Sequence, residues 1–232
     1  MVAAELSMSL PATLAAEPMW RSDEERNGRA GRVRAELTEA GLWRGGGARD
    51  DLAESVGLLC RAGTEYFAHV GTTEQDYRLH VAVSGREAVL ACYVPASGNV
   101  LLRPARAEAP VEDLVRELPD SRPAAGLALS VPESELKAAM AGKPAQRDVR
   151  RILDLCAQPR CGGGQLYAGV RDRLGGHRTS RGDCCTLLDT EHGAWLFSFT
   201  GGPGRYVNVA PARHDIVVAK LYELAERLRP TR

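Results

Sequence analysis

Gly193-Ala-Trp-Leu-Phe-Ser-Phe-Thr200, then Gly201-Gly-Pro-Gly204, then Arg205-Tyr-Val-Asn-Val-Ala-Pro211 and a helical run to Leu228 decide the fold. In the first segment Trp195, Phe197 and Phe199 alternate with Leu196 and Ser198, which is the period of a strand. Thr200 to Gly204 is punctuated by glycine and proline and reads as a turn. Arg205 to Val209 alternates again, with Val207 and Val209 facing one way. Pro211 sits where a helix can begin without losing a needed N–H. Val217, Leu221, Leu224 and Leu228 then form one apolar stripe. Asp215 suits the start of that helix, Arg227 and Arg229 suit its end, and Pro230 stops it. The unit is a hairpin feeding a helix that packs back on the sheet.

Working outward, the same unit is found earlier in the chain. Tyr66 to Val70, Tyr77 to Val83, Val89 to Val94 and Val100 to Arg103 read as four antiparallel strands, with turns at Ser84-Gly85 and Pro95 to Asn99. A helix follows on Val111, Leu114, Val115 and Leu118 and stops at Pro119. The later set is Leu166 to Val170, Cys184 to Leu188, Trp195 to Phe199 and Tyr206 to Val209. Pro104-Ala105-Arg106 matches Pro211-Ala212-Arg213 at an offset of 107 residues, which also carries Val100 to Val207, Leu102 to Val209 and Leu114 to Leu221. The chain is therefore written twice, as helix, four antiparallel strands and helix, and the repeat reads as a pseudo-symmetry between two halves.

The remaining segments fill in around these halves. Leu6, Met8 and Leu10 predict a short strand over Glu5 to Leu10. Ser22 and Glu25 form a capping-box pattern opening a helix to about Leu42, with Val33, Leu37, Ala40 and Leu42 on its apolar face. Gly45-Gly46-Gly47 ends it, and Asp50 or Asp51 caps the next helix, whose apolar side is Leu52, Val56, Leu59 and Cys60. Gly126 to Val131 is a strand, Pro132 opens a helix to Met140, and Val149, Ile152, Leu153 and Cys156 mark another before a break at Pro159 to Gly164.

Lys+Arg and Asp+Glu number 30 each, so the chain has no net field to hold nucleic acid or an anionic membrane. Met1 to Trp20 has no basic start and no continuous apolar core, and no run reaches the length of a membrane span, so a cytoplasmic protein without membrane insertion is expected. The six cysteines (Cys60, Cys92, Cys156, Cys161, Cys184 and Cys185) are scattered and read as reduced thiols.

The chemistry-bearing motifs are sparse. No glycine run leads from a strand into a helix as a phosphate cradle requires. Cys156, Cys161, His177, Asp183 and Cys184 make no matched ligand pairs, so no metal and no cofactor are expected. His69 and His80 pair across adjacent strands on what reads as a solvated face. His177, His192 and His214 accompany no nucleophile motif. Arg171, Arg173, Arg178 and Arg181 surround a Gly-rich hairpin tip but lack interleaved aromatics for base stacking. The profile suits a binding protein, not an enzyme; the rival readings are an enzyme with an unrecognised Cys/His site and a weak nucleic-acid binder through the Arg171 to Arg181 hairpin.

The order of signatures resembles the EspG family, cytosolic specificity factors of actinobacterial type VII (ESX) secretion. The residues that carry it are Leu6-Ser7-Met8-Ser9-Leu10-Pro11, Trp43 to Gly47, Tyr66 to Val70, Gly169-Val170-Arg171-Asp172, Trp195 to Phe199 and Val209-Ala210-Pro211-Ala212. The resemblance implies an α+β fold, a central, mainly antiparallel sheet flanked by helical bundles, in two pseudo-twofold related halves (about 1–125 and 126–232) of one domain spanning 1–232. It implies a chaperone or adaptor that binds the tip of a helical, paired secretion substrate (a PE/PPE-like or WXG100-like heterodimer) and keeps it soluble for export. It implies a monomer when free. By position, its contact residues are Gly71, Thr72, Thr73, Glu74 and Gln75 in a strand-connecting loop, and Lys220, Glu223 and Arg227 on the last helix.

Overall fold

The structure is a computed structural model and describes residues 2–15, 20, 22–172, 174, 176–202 and 204–229. Arg173 of the arginine hairpin and Pro230 after the last helix lie outside the described residues.

The expected strand at Glu5 to Leu10 is not formed. The chain begins with helix α1 (Val2–Glu5), which buries Ala3 beside a later helix, and Ser7 then turns at φ 54°. The alternation of Leu6, Met8 and Leu10 finds no neighbouring strand, and Leu10 stays 37% exposed. Helix α2 (Asp23–Glu39) has the expected capping box: Ser22 Oγ accepts from the Glu25 N–H at 3.2 Å and Glu25 Oε2 accepts from the Ser22 N–H at 3.0 Å. None of its residues is buried.

The Gly45-Gly46-Gly47 run does more than end a helix. Strands β1 (Trp43–Arg44) and β2 (Gly47–Ala48) form a hairpin whose two turn residues, Gly45 and Gly46, have φ of 59° and 90°. Positive φ at both positions is what a two-residue hairpin loop of this hand demands. Helix α3 (Asp50–Arg61) is capped by Arg49 without a side-chain bond; Asp50 and Asp51 instead sit in the first turn, where the helix dipole favours acids.

Four strands follow: β3 (Thr64–Thr72), β4 (Asp76–Ser84), β5 (Glu87–Val94) and β6 (Asn99–Pro104), then helix α4 (Pro110–Val115). The second half adds β7 (Leu129–Pro132) and helices α5 (Glu133–Met140) and α6 (Arg147–Cys156), then β8 (Arg160–Arg171), β9 (His177–Thr179), β10 (Cys185–Thr190), β11 (Gly193–Thr200), β12 (Tyr206–Pro211) and α7 (His214–Leu228). Pro132 and Pro211 each close a strand, and α7 begins three residues after Pro211.

Among the described residues these strands form one antiparallel sheet in the order β6-β5-β4-β3-β8-β10-β11-β12-β7, with β9 paired to the end of β8. Outward from the β3–β8 pair the order reads β4, β5, β6 on one side and β10, β11, β12 on the other. The pseudo-twofold axis therefore passes between β3 and β8, where Ala68 faces Leu166 with both fully buried. The halves differ where the second adds β7, α5 and β9.

Helices cover both faces. On one, α4 and α7 meet over the axis: Val111, Leu114, Val217, Leu221 and Leu224 pack on Tyr66, Ala68, Leu79, Leu166 and Leu196. Tyr222 donates to Glu112 Oε2 at 2.8 Å and its ring meets Tyr66 edge-on. Each fully buried leucine here stabilises the fold by about 1.5–3 kcal/mol before entropy is subtracted. On the other face α3 covers Ala82, Val89, Ala91 and Tyr93, while α5 and α6 cover Trp195, Val207 and Val209. Both faces of β11 are buried, which its alternation alone does not reveal.

Two further expectations are corrected. The break expected from Pro159 to Gly164 is confined to Pro159, and strand begins at Arg160, because the glycines serve close strand approach: a Cβ on Gly163 would stand 2.5 Å from Leu187 O, one on Gly164 3.0 Å from His69 O. His80 pairs with Phe67, not with His69, and is fully buried; a strand two residues out of the assumed register explains the difference.

Candidate partner-binding surface

On the α5 side of the sheet, the two helical layers stop short of each other and leave an open groove of about 970 Å³. Its floor is β8 at Gly162 to Gly164 and the β11 aromatics Phe197 and Phe199. Leu136, Lys137 and Met140 of α5 form one wall, and Arg78 and Pro95 stand opposite. The absence of side chains at Gly162 to Gly164 deepens the floor to bare backbone. Met140 is 72% exposed at the lip, an apolar side chain left in water beside two aromatics. Arg205 lies 4.3 Å over the Phe199 ring and bridges Glu133 at 3.7 Å and Asp183 at 2.8 Å, holding that ring in place.

The β3–β4 turn forms the end of the groove. Thr72 Oγ1 donates to Gln75 O at 2.9 Å and accepts from the N–H groups of Glu74 and Gln75 at 3.2 and 3.0 Å. One hydroxyl thus fixes the whole turn. Of the sequence-based contact residues, Gly71, Thr72 and Thr73 line the groove, with Glu74 and Gln75 in the same turn. Lys220, Glu223 and Arg227 lie elsewhere: α7 packs on the opposite face, where Lys220 Nζ meets Glu223 at 2.8 Å and Arg227 donates to Phe199 O at 2.8 Å. The structure does not bring the two sets together.

Further along β3 on the same face of the sheet lies a buried polar cluster. Glu65, its side chain 8% exposed, lies 2.7 Å from His177 Nε2 and 3.6 Å from His80 Nε2. His177 comes from β9, so this contact ties the arginine-bearing hairpin to the sheet. Ser180 adds a second tie by accepting from the Ala168 N–H at 2.9 Å. Phe67 stacks between His80 and Tyr167 at 5.9 and 4.9 Å. Burial pushes the His80 imidazole down to about 4, against the opposing pull of Glu65 and with a small push from His177. Burial, then Arg78 and Arg181, also lower His69.

No activated thiol accompanies these histidines among the groups that shift. Burial raises Cys60, Cys92 and Cys156, and takes Cys185 up to about 12, which is opposite to what a thiolate nucleophile needs. Among the described residues no three His, Cys, Asp or Glu side chains are placed to hold a metal ion. No helix among them is long and apolar enough to cross a membrane.

Phe197, Phe199, Leu136 and Met140 are the groove residues that sequence reasoning passed over. Phe197 and Phe199 carried a signal, since they alternate with the buried Leu196; Met140 carried none beyond its place at a helix end.

A family model described as the EspG family matches residues 2–223. The chain belongs to the EspG family. Its fold is shared with the Mycobacterium tuberculosis type VII secretion system chaperone EspG5, solved in complex with a PE25–PPE41 dimer: TM-score 0.73 at 17% sequence identity, over 99% of this chain and 93% of that one. None of the curated proteins compared with the chain matches it. The α+β architecture with a large antiparallel sheet, expected from the internal repeat and from the EspG resemblance, is the one found.

Proposed function

We propose that this EspG-family chain is a cytoplasmic chaperone of a type VII secretion system, one that seats the apolar tip of a paired helical substrate of the PE–PPE kind in the groove beside α5. Residues 1–232 act in this as one unit. The observation that carries the reading is the exposed Met140 beside Phe197 and Phe199 over a floor of bare backbone. Such a surface favours apolar helix ends, with each Å² of apolar area removed from water contributing about 25 cal/mol. A few anchors of this kind supply most of an interface's affinity. The rigid turn from Gly71 to Gln75 forms the rim that sets register, and the rim charges Arg78, Asp76 and Lys137 favour one docking orientation. The family membership and the EspG5 complex support the same partner class. Raised thiols and the lack of a motif for nucleophilic chemistry favour binding over catalysis.

The test is co-expression with a PE–PPE pair encoded by the same genome. A soluble complex of all three chains that survives gel filtration is the expected outcome. A pair that stays insoluble, or that elutes apart from the chain, overturns the reading.

A further inference from the structure

The two halves of the sheet end differently. In the second half the outer strand β12 is covered by β7: Val207 pairs with Val131 and Val209 with Leu129. At the same offset of 107 residues the first half has Val100 and Leu102 on β6. Their main-chain groups point the same way. Ala105 N–H donates to Ala88 O and Ala212 N–H to Ala194 O, so in each half the residues one and three positions back, Pro104 and Leu102 or Pro211 and Val209, turn their polar groups away from the neighbouring strand. In β12 those groups meet β7. In β6 no described strand meets them, and Val100 and Leu101 are 40% and 65% exposed.

We propose that the free edge of β6 pairs with β6 of a second copy of this chain, forming a twofold dimer through a continuous antiparallel sheet. The strand is self-complementary about Leu101. A twofold there places Leu101 against Leu101 of the partner copy on one face and Val100 against Leu102 on the other, with Asn99 beside Arg103. Both outward-facing residues, Val100 and Leu102, then find the main-chain partners that Val131 and Leu129 give to Val207 and Val209. Pro104 has no N–H to offer and ends the ladder, which keeps it short. At the far edge, β7 is four residues long and itself ends in Pro132, so growth from that side is blunted and the pairing closes as a dimer. A ladder of this length buries little surface, so the dilute chain is a monomer and the dimer forms on concentration. The groove reaches the β5–β6 turn at Pro95, but no residue of β6 itself lines it, so pairing along β6 leaves its floor over β8 and β11 uncovered in both copies.

Sedimentation velocity of the full chain over a concentration series reads the association. The expected result is a shift from monomer to dimer with rising concentration, lost in Leu101→Lys while the near-ultraviolet circular dichroism is unchanged. A second variant decides even if the lysine disturbs folding. Leu101→Cys faces itself across the axis at a Cα separation of about 4.5 Å, within disulfide range. It should give covalent dimer on mild oxidation well ahead of Arg103→Cys and of the unaltered chain with its six native cysteines. A chain that stays monomeric at every concentration, a dimer that persists in folded Leu101→Lys, or cross-linking no faster at position 101 overturns the proposal. So does loss of helical-substrate capture in Leu101→Lys from a chain that never dimerises, since the edge then serves another protein.

Discussion

Glu65 Oε1 stands 2.7 Å from His177 Nε2, joining a carboxylate inside the sheet to a short strand that belongs to the arginine-bearing hairpin. No lysine or arginine is paired with this carboxylate among its described contacts; its other neighbour is the neutral His80 at 3.6 Å. Removing the imidazole leaves a buried acid without its hydrogen bond, which costs about 1–3 kcal/mol. His177→Ala should therefore lower stability by that amount in urea unfolding. Gly169 is pressed against Glu65, where a Cβ would come within 2.5 Å of its Oε1, so the carboxylate cannot swing aside on that side. Combining His177→Ala with Glu65→Gln should be less damaging than the sum of the two, and additivity would show that the pair is not coupled.

His80 makes the fold acid-sensitive. Its imidazole is pushed down to about 4 from an ordinary value of 6.5, because a charge there would be buried. The unfolded chain takes up the proton near pH 6.5 and the folded chain resists it until about pH 4. Stability is thus fully present above pH 6.5 and falls as pH drops toward 4, by about 3 kcal/mol at the lower end. Both ring nitrogens lack a hydrogen-bond partner, and the ring stacks on Phe67. His80→Phe should then keep stability at pH 7.5 and flatten the loss between pH 6.5 and 4; an unchanged slope would place the acid sensitivity in other groups.

The internal repeat was legible because it rests on local chemistry. Pro104-Ala105-Arg106 and Pro211-Ala212-Arg213 both mark a strand end before a helix, and the alternation of Val100 and Leu102 or Val207 and Val209 survives any tertiary setting. What was hidden depends on neighbours that local pattern cannot see. Gly162 to Gly164 read as a break because glycine usually punctuates, yet here its missing Cβ admits the backbone of β3 and β10. His80 read as solvated because alternation gives the face of a residue but not what covers it; the Phe67 ring stacks on it from the neighbouring strand. The groove was invisible for the same reason, since α5 and β11 meet across it only in three dimensions.

Close approach makes Gly163 a sharp test of the glycine floor. A methyl group there would stand 2.5 Å from Leu187 O, a main-chain atom in the middle of the β8–β10 ladder. Gly163→Ala should cost about 1–3 kcal/mol through forced strand displacement. Gly182, with open space around its Cβ direction, is the control, and Gly182→Ala should stay within about 0.5 kcal/mol of the unaltered chain. Equal stability of the two variants would mean that the strands separate at little cost.

Met140 and the charged trio on α7 separate two places where a substrate could sit. Met140 is 72% exposed at the lip of the groove, so Met140→Asp should leave stability within about 0.5 kcal/mol. In the groove reading it puts a charge among Leu136, Phe197 and Phe199 once a partner excludes water, an unpaired burial costing well over 1.4 kcal/mol. Titration calorimetry against the PE–PPE pair should therefore show affinity reduced more than about tenfold. Lys220 and Glu223 pair with each other at 2.8 Å on the opposite face. The double charge swap Lys220→Glu with Glu223→Lys preserves that pair and should change affinity less than about threefold, since rim and surface charges weigh little at equilibrium. The reverse ranking, with Met140→Asp silent and the swap disabling, would move the binding surface from the groove to α7.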